Sequence, residues 1–152
     1  MTVELRLQGT VTNVNGSMSM RISDHNGVKY FNDKFEPGKT TIDCCIAWPT
    51  CVTIDLGNKN SNDMIVNPEG IIVATKSMEI DTMYINRFPI QYELMESLFD
   101  CTHSGNDVIT HENFWGFNGQ VKINFTYSSP MHYMLAIKNP FEIPRLDWLN
   151  HD

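Results

Sequence analysis

The stretch Val121-Lys122-Ile123-Asn124-Phe125-Thr126-Tyr127 sets an apolar side chain at every second position, with Lys122, Asn124 and Thr126 between them. Successive side chains of a strand point to opposite faces, so this alternation reads as a β-strand with one dry face. The same period runs through Val3, Leu5 and Leu7, and through Met18, Met20 and Ile22. It recurs at Ile42, Cys44, Ile46 and Trp48, and again at Val52, Ile54 and Leu56.

Turn chemistry separates these runs. Asn26-Gly27, between 18–22 and 28–31, is a strong short hairpin signal. Pro37-Gly38 closes the next loop, Trp48-Pro49-Thr50 makes a tight link, and Pro68-Glu69-Gly70 turns into 71–74. Residues 78–87 read as a longer strand whose apolar parity changes between Met78/Ile80 and Met83/Ile85. A bulge near Asp81-Thr82 accounts for the change. Ile90, Leu94 and Leu98 recur every fourth residue after Pro89, which predicts one short helix over 89–99. Residues 131–138 are apolar on both parities and predict a central strand covered on both sides, with His132 hydrogen-bonded in the core. The expectation is an all-β chain: a single β-sandwich or jelly-roll-like domain over 1–138 with one short helix, then an extended C-terminal arm over 139–152.

Composition narrows the function classes. The 152 residues are 41% hydrophobic, enough for a core without staples. Eleven basic residues against 18 acidic ones give a net charge of −7. Nucleic acid and anionic membrane surfaces need clustered Lys and Arg, and none is present, so neither is an expected partner. No signal-peptide core opens the sequence and no run approaches a membrane span. Cys44, Cys45, Cys51 and Cys101 form no CxxC pair, and four reduced thiols are expected, with a Cys44–Cys51 bridge as the alternative.

Candidate chemistry is sparse. The loop Gly57-Asn58-Lys59-Asn60-Ser61-Asn62-Asp63 fails the EF-hand pattern, because Asp63 stands where glycine is required and Asn58 opens it. A looser calcium site from Asp55, Asp63 and backbone carbonyls stays open, beside the plain reading of a solvated turn. His103, Asp107 and His111 have helical zinc spacing, but Gly105 and Val108-Ile109-Thr110 argue against a helix there. No Gly-x-Ser-x-Gly elbow or phosphate loop occurs, so the expectation is a protein that is not an enzyme. Phe114-Trp115-Gly116-Phe117-Asn118-Gly119 gathers three rings in a loop. Exposed, Trp115 and Phe117 with Asn118, Asn58 and Asp63 would bind a glycan; buried, the rings would plug one end of the sandwich. In the arm, Phe141, Ile143, Leu146, Trp148 and Leu149 between Pro140 and Pro144 would dock in a partner's groove or on the chain's own sandwich.

The loop 57–63, with Ile71-Ile72-Val73, Lys76-Ser77-Met78-Glu79-Ile80 and Arg87-Phe88-Pro89-Ile90, resembles small β-sandwich accessory proteins of tailed bacteriophages, some of which are similar to carbohydrate-binding modules. The resemblance covers about a third of the chain and carries no catalytic residues across. It implies a virion component (capsid decoration, neck or tail attachment) made in the host cytoplasm and docked on other virion proteins or on copies of itself. Three functions follow: a non-enzymatic structural module, a carbohydrate-binding module assisted by calcium, and a β-sandwich hydrolase using acids such as Asp43 and Asp55.

Overall fold

The computed structural model describes residues 1–60, 62–90, 98–103 and 112–138. The fold is an all-β sandwich, with one short helix among the described residues. Its strands are β1 (Thr2–Thr12), β2 (Ser19–Asp24), β3 (Gly27–Asn32), β4 (Gly38–Ala47), β5 (Thr50–Gly57), β6 (Met64–Val66), β7 (Ile72–Thr75), β8 (Ser77–Ile85), β9 (Phe88–Ile90), β10 (Asp100–His103), β11 (Phe114–Trp115) and β12 (Gly119–Phe125). Helix α1 (Pro130–Lys138) follows.

Sheet A runs β11-β8-β1-β4, with β9 also paired to β8. Sheet B runs β10-β12-β5-β2-β3. Their inner faces form one core, in which the even positions of β2, β4 and β5 meet the odd positions of β1 and β12. Each of the five quoted runs is therefore a strand with one dry face. Trp48-Pro49, a cis peptide, carries the chain from β4 in sheet A to β5 in sheet B. Trp48 lies against Phe125 at 4.9 Å and donates its ring N–H to the Tyr127 carbonyl at 2.9 Å. Asp24 ties the Asn26-Gly27 turn to β4. Its carboxylate accepts from Asn26 N at 2.8 Å and from Ala47 N at 3.0 Å. Burial works against its ionisation, but these two amides outweigh it and hold its pKa below the usual carboxylate value.

The parity change in β8 is a bulge where the sequence places it. Thr82 pairs with Gln8 and Ile80 with Gly9, so Asp81 is the extra residue. Met78, Ile80, Met83 and Ile85 all reach the core as a result. Gly9 makes this close approach feasible, since a Cβ there would stand 2.4 Å from the Glu79 carbonyl oxygen. Backbone cannot swing aside as a side-chain tip can. Gly9→Ala is expected to cost about 1–3 kcal/mol in chemical denaturation, the usual range for overpacking. A neutral substitution would mean that β1 and β8 separate freely at the bulge.

One expectation needs correction. Residues 131–138 form a helix and not a central strand. Ser129-Pro130 is the start signal. The Ser129 hydroxyl accepts from His132 N at 3.2 Å, its carbonyl accepts from Tyr133 N at 3.1 Å, and Pro130 fills the first helical position. Three-residue spacing puts Tyr133 and Ala136 on the buried face, while Met131 stays exposed. His132 is half-buried, 2.6 Å from the Ser128 hydroxyl, rather than in the core. The helix expected over 89–99 falls mostly outside the described residues. Pro89 and Ile90 belong to β9, which pairs with β8, and 91–97 lie outside the described residues. The arm over 139–152 lies outside them too, with Phe141, Ile143, Leu146, Trp148 and Leu149.

Candidate ligand groove

The rings proposed to stack on sugar are core. Trp115 and Phe117 are both 0% exposed. Trp115 meets Phe99 edge-on at 5.4 Å and donates its ring N–H to the Glu112 carbonyl at 2.8 Å. Trp115 and Phe117 therefore present no ring face to a sugar, while Asn118 is half-buried. A small domain short of apolar volume at one end uses these rings as a plug. Asn118 holds the neighbouring loop, accepting from Lys59 N at 3.0 Å and donating to Lys59 O at 2.7 Å. Asn58 sits in the left-handed region at φ 69° and donates to the Ser17 carbonyl at 2.8 Å.

Asp63 is buried, and its cation is a lysine. The Lys76 ammonium, 1% exposed, lies 3.0 Å from the Asp63 carboxylate. It also donates to the Asn58 carbonyl at 2.7 Å and the Asn15 carbonyl at 3.3 Å. Three N–H bonds meet three oxygens, so the ammonium fills the oxygen cage that calcium would need. Burial disfavours the Asp63 charge. The Asn60 amide, at 2.7 Å, together with Lys76 and Asn15, outweighs it and holds the carboxyl below the ordinary value. Asp55 is not part of this cage; it accepts from Gln120 at 2.8 Å on the outer face of sheet B. No group of three or more metal-ligating side chains occurs among the described residues.

The remaining candidates also separate. Asp43 lies on the outer face of sheet A and Asp55 on that of sheet B, so they share no cleft for paired acid chemistry. All four cysteines are free; Cys44 points into the core and Cys51 outward, which removes the Cys44–Cys51 bridge. Burial, then nearby charge, raises the Cys44 thiol to about 11 and the Cys101 thiol to about 12, far from a neutral-pH nucleophile. Of the zinc spacing, Asp107 and His111 lie outside the described residues.

The structure assembles a different site on the outer face of sheet A. Cross-strand register sets Tyr84 (β8), Arg6 (β1) and Asp43 (β4) in one row, with Glu4 beside Cys45 in the next. Arg6 forks onto Asp43, Nε to Oδ1 at 2.6 Å and Nη2 to Oδ2 at 3.4 Å. That hydrogen bond, then the Asp43 charge, raises the guanidinium pKa further. Lys29 of β3 and Arg87 complete the rim of a cavity of about 830 Å³. Arg87 and Asn86 link β8 to β9 in a two-residue turn, both in the left-handed region at φ 72° and 48°. Glu4 holds this turn: its N–H donates to the Asn86 side chain and its carbonyl accepts from Asn86 N, each at 2.9 Å. The Glu4 carboxylate lies 3.6 Å from Arg87 Nε.

Glu4, Arg6, Asp43 and Tyr84 occupy the outward parity of their strands, which is visible in the sequence. Their meeting is not, because positions 4, 6, 43, 84 and 87 come together only through sheet register. Asn86 between Ile85 and Phe88 is the one local clue, as asparagine favours such turns.

No protein-family model and no curated protein sequence matches the chain. Two solved structures are similar to it. One is the selenomethionine form of vCBM60, described with calcium-dependent carbohydrate-binding modules, at TM-score 0.47 and 10% identity over 80% of this chain and 90% of that one. The other is vCBM60 in complex with galactobiose, at TM-score 0.45 and 14% identity over 82% of this chain and 98% of that one.

Proposed function

We propose that the chain is a non-catalytic binding module whose sheet A groove takes an oligosaccharide. The observation that carries this reading is Arg87. A tight turn with two left-handed residues favours glycine at its second position, and a side chain there costs about 1 kcal/mol or more. Keeping an arginine there sets a long planar cation on the groove rim. Arg87, Arg6, Asp43 and Glu4 offer forked donors and acceptors suited to neighbouring hydroxyls. Tyr84 adds a ring that presents a flat apolar face and a polar tip. Asp43 is tied to Arg6, which fixes the orientation of its carboxylate as an acceptor for a ligand hydroxyl.

Isothermal titration against a panel of neutral and uronate-bearing oligosaccharides tests the proposal. Arg87→Gly is expected to lose at least about tenfold in affinity, while stability stays level or rises by about 1 kcal/mol as the turn relaxes. A bound sugar should shield Cys45 in the groove from alkylation and leave Cys51, on the opposite face, reactive. A chelator should change neither result, because Lys76 fills the candidate calcium cage. Failure of every oligosaccharide to bind, or full affinity in Arg87→Gly, would sink the groove reading.

A second reading is a structural module that docks into a larger protein assembly such as a virion. One observation favours it: the hairpin of β6 and β7 leaves its apolar side chains uncovered. This reading and the groove use different surfaces, and neither excludes the other.

A further inference from the structure

Strands β6 and β7 pair only with each other among the described residues, forming a two-stranded sheet apart from the sandwich. Its side chains are those of a core. Met64 is 37% exposed, Ile65 and Val66 52%, Ile71 61%, Ile72 56% and Val73 59%. Single exposed apolar residues are ordinary on a protein surface, but six in one hairpin are not. An isolated two-stranded hairpin is marginal in water and gains stability from a covering surface. Edge strands that must stay unpaired normally carry lysine, proline or a charge facing outward. Here Pro68 and Glu69 sit in the turn, and neither strand carries a charge.

The base of the hairpin is fixed. Lys76 N donates to the Asp63 carbonyl at 3.0 Å, and the buried Lys76–Asp63 pair locks both strand ends onto the sandwich. These flanking charges neutralise one another inside the protein. The exposed part is therefore a neutral apolar blade on a chain of net charge −7. A basic partner would be met by a row of acidic side chains along the strands, and Glu69 in the turn is the one acid on the hairpin. An anionic bilayer would be met by lysines, also absent.

We propose that the blade joins two copies of this chain, hairpin to hairpin, across a two-fold axis. This names the partner for the assembly reading above and is independent of what the groove binds. A neutral apolar strip is its own complement, and it is the surface where two acidic copies approach with least repulsion. The six side chains expose on the order of 600 Å² per copy over both faces of the hairpin, since Met64, Val66 and Ile72 lie on one face and Ile65 on the other; a face-to-face contact covers about half of that in each copy, about 600 Å² in all, the size of a weak and concentration-dependent pair.

Analytical ultracentrifugation of the full chain over a roughly hundredfold range of concentration is the test. The expected result is a monomer–dimer equilibrium. Ile72→Glu, at an exposed position, should weaken it at least tenfold without lowering the melting temperature. Ile72→Lys should do the same. Mixing the two variants should restore the dimer, because a two-fold contact brings the same position from both copies together. A wild-type monomer at every concentration overturns the self-pairing alone and leaves the assembly reading to a different partner. Unchanged dimerisation by Ile72→Glu overturns it as well. A monomer that instead co-sediments with phosphatidylcholine vesicles reassigns the blade to a bilayer.

Discussion

Lys76→Met is expected to lose about 3–5 kcal/mol of stability in chemical denaturation, the range for breaking a buried ion pair from one side. The ammonium is 1% exposed and its partner Asp63 2% exposed. Its three bonds tie the Asn15 loop, the Asn58 loop and the base of the hairpin together. Methionine fills much the same space but leaves the Asp63 carboxylate and two carbonyls facing an apolar tip. The double variant Lys76→Met/Asp63→Asn should recover a large part of the loss, since no net charge then remains buried. The double-mutant cycle therefore separates charge from packing. Equal losses in single and double variants would mean that Lys76 acts by its alkyl stem alone.

The acid side provides a second reading of the same pair. The Asp63 carboxyl is held below its ordinary value of 3.8 in the fold. The folded state thus binds this proton less readily than the unfolded chain does. Its contribution is complete above 3.8 and drains away as pH falls through the lower folded value. In Lys76→Met the ammonium no longer offsets burial, so the carboxyl takes up its proton more readily. That variant should lose less stability than the wild type on acidification, and the two curves should converge. Parallel curves would show that Asp63 does not sense Lys76.

The contrast between this pair and the strands shows what a sequence can carry. Alternation in β1, β2, β4, β5 and β12 is written in adjacent residues, and so is the Asp81 bulge, because a slipped parity exposes a whole apolar face. Helix α1 was harder. Its residues are apolar on both strand parities, and Ser129-Pro130 is only a local signal beside that pattern. Site chemistry was harder still. Asp63 looks like a ligand in a polar loop until Lys76, thirteen residues on, folds back onto it. The groove needs the register of β8, β1 and β4, which no local window contains. The blade was legible as strand and turn, but its exposure depends on pairing with nothing else among the described residues.

Trp115→Ala is expected to lose about 3–5 kcal/mol, as for other buried aromatic truncations, and to lower the melting temperature by on the order of 10 °C. The ring is 0% exposed and closes the end of the core with Phe99 and Phe117. Truncation leaves a cavity between β8 and the loop before β12 and removes the indole N–H from the Glu112 carbonyl, which keeps only the weaker Cys101 thiol as a donor at 3.2 Å. Trp115→Phe should lose less, since it keeps most of the ring contact and forfeits only the hydrogen bond and part of the volume. Oligosaccharide affinity, measured well below the melting transition, should stay close to wild type in both variants, because the sheet A groove is formed by other residues. A sugar lost together with an unchanged melting temperature would return Trp115 to the surface and the binding face to its loop. A melting temperature lowered with binding retained fixes Trp115 as a core residue and leaves Arg87 and Tyr84 as the positions that decide recognition.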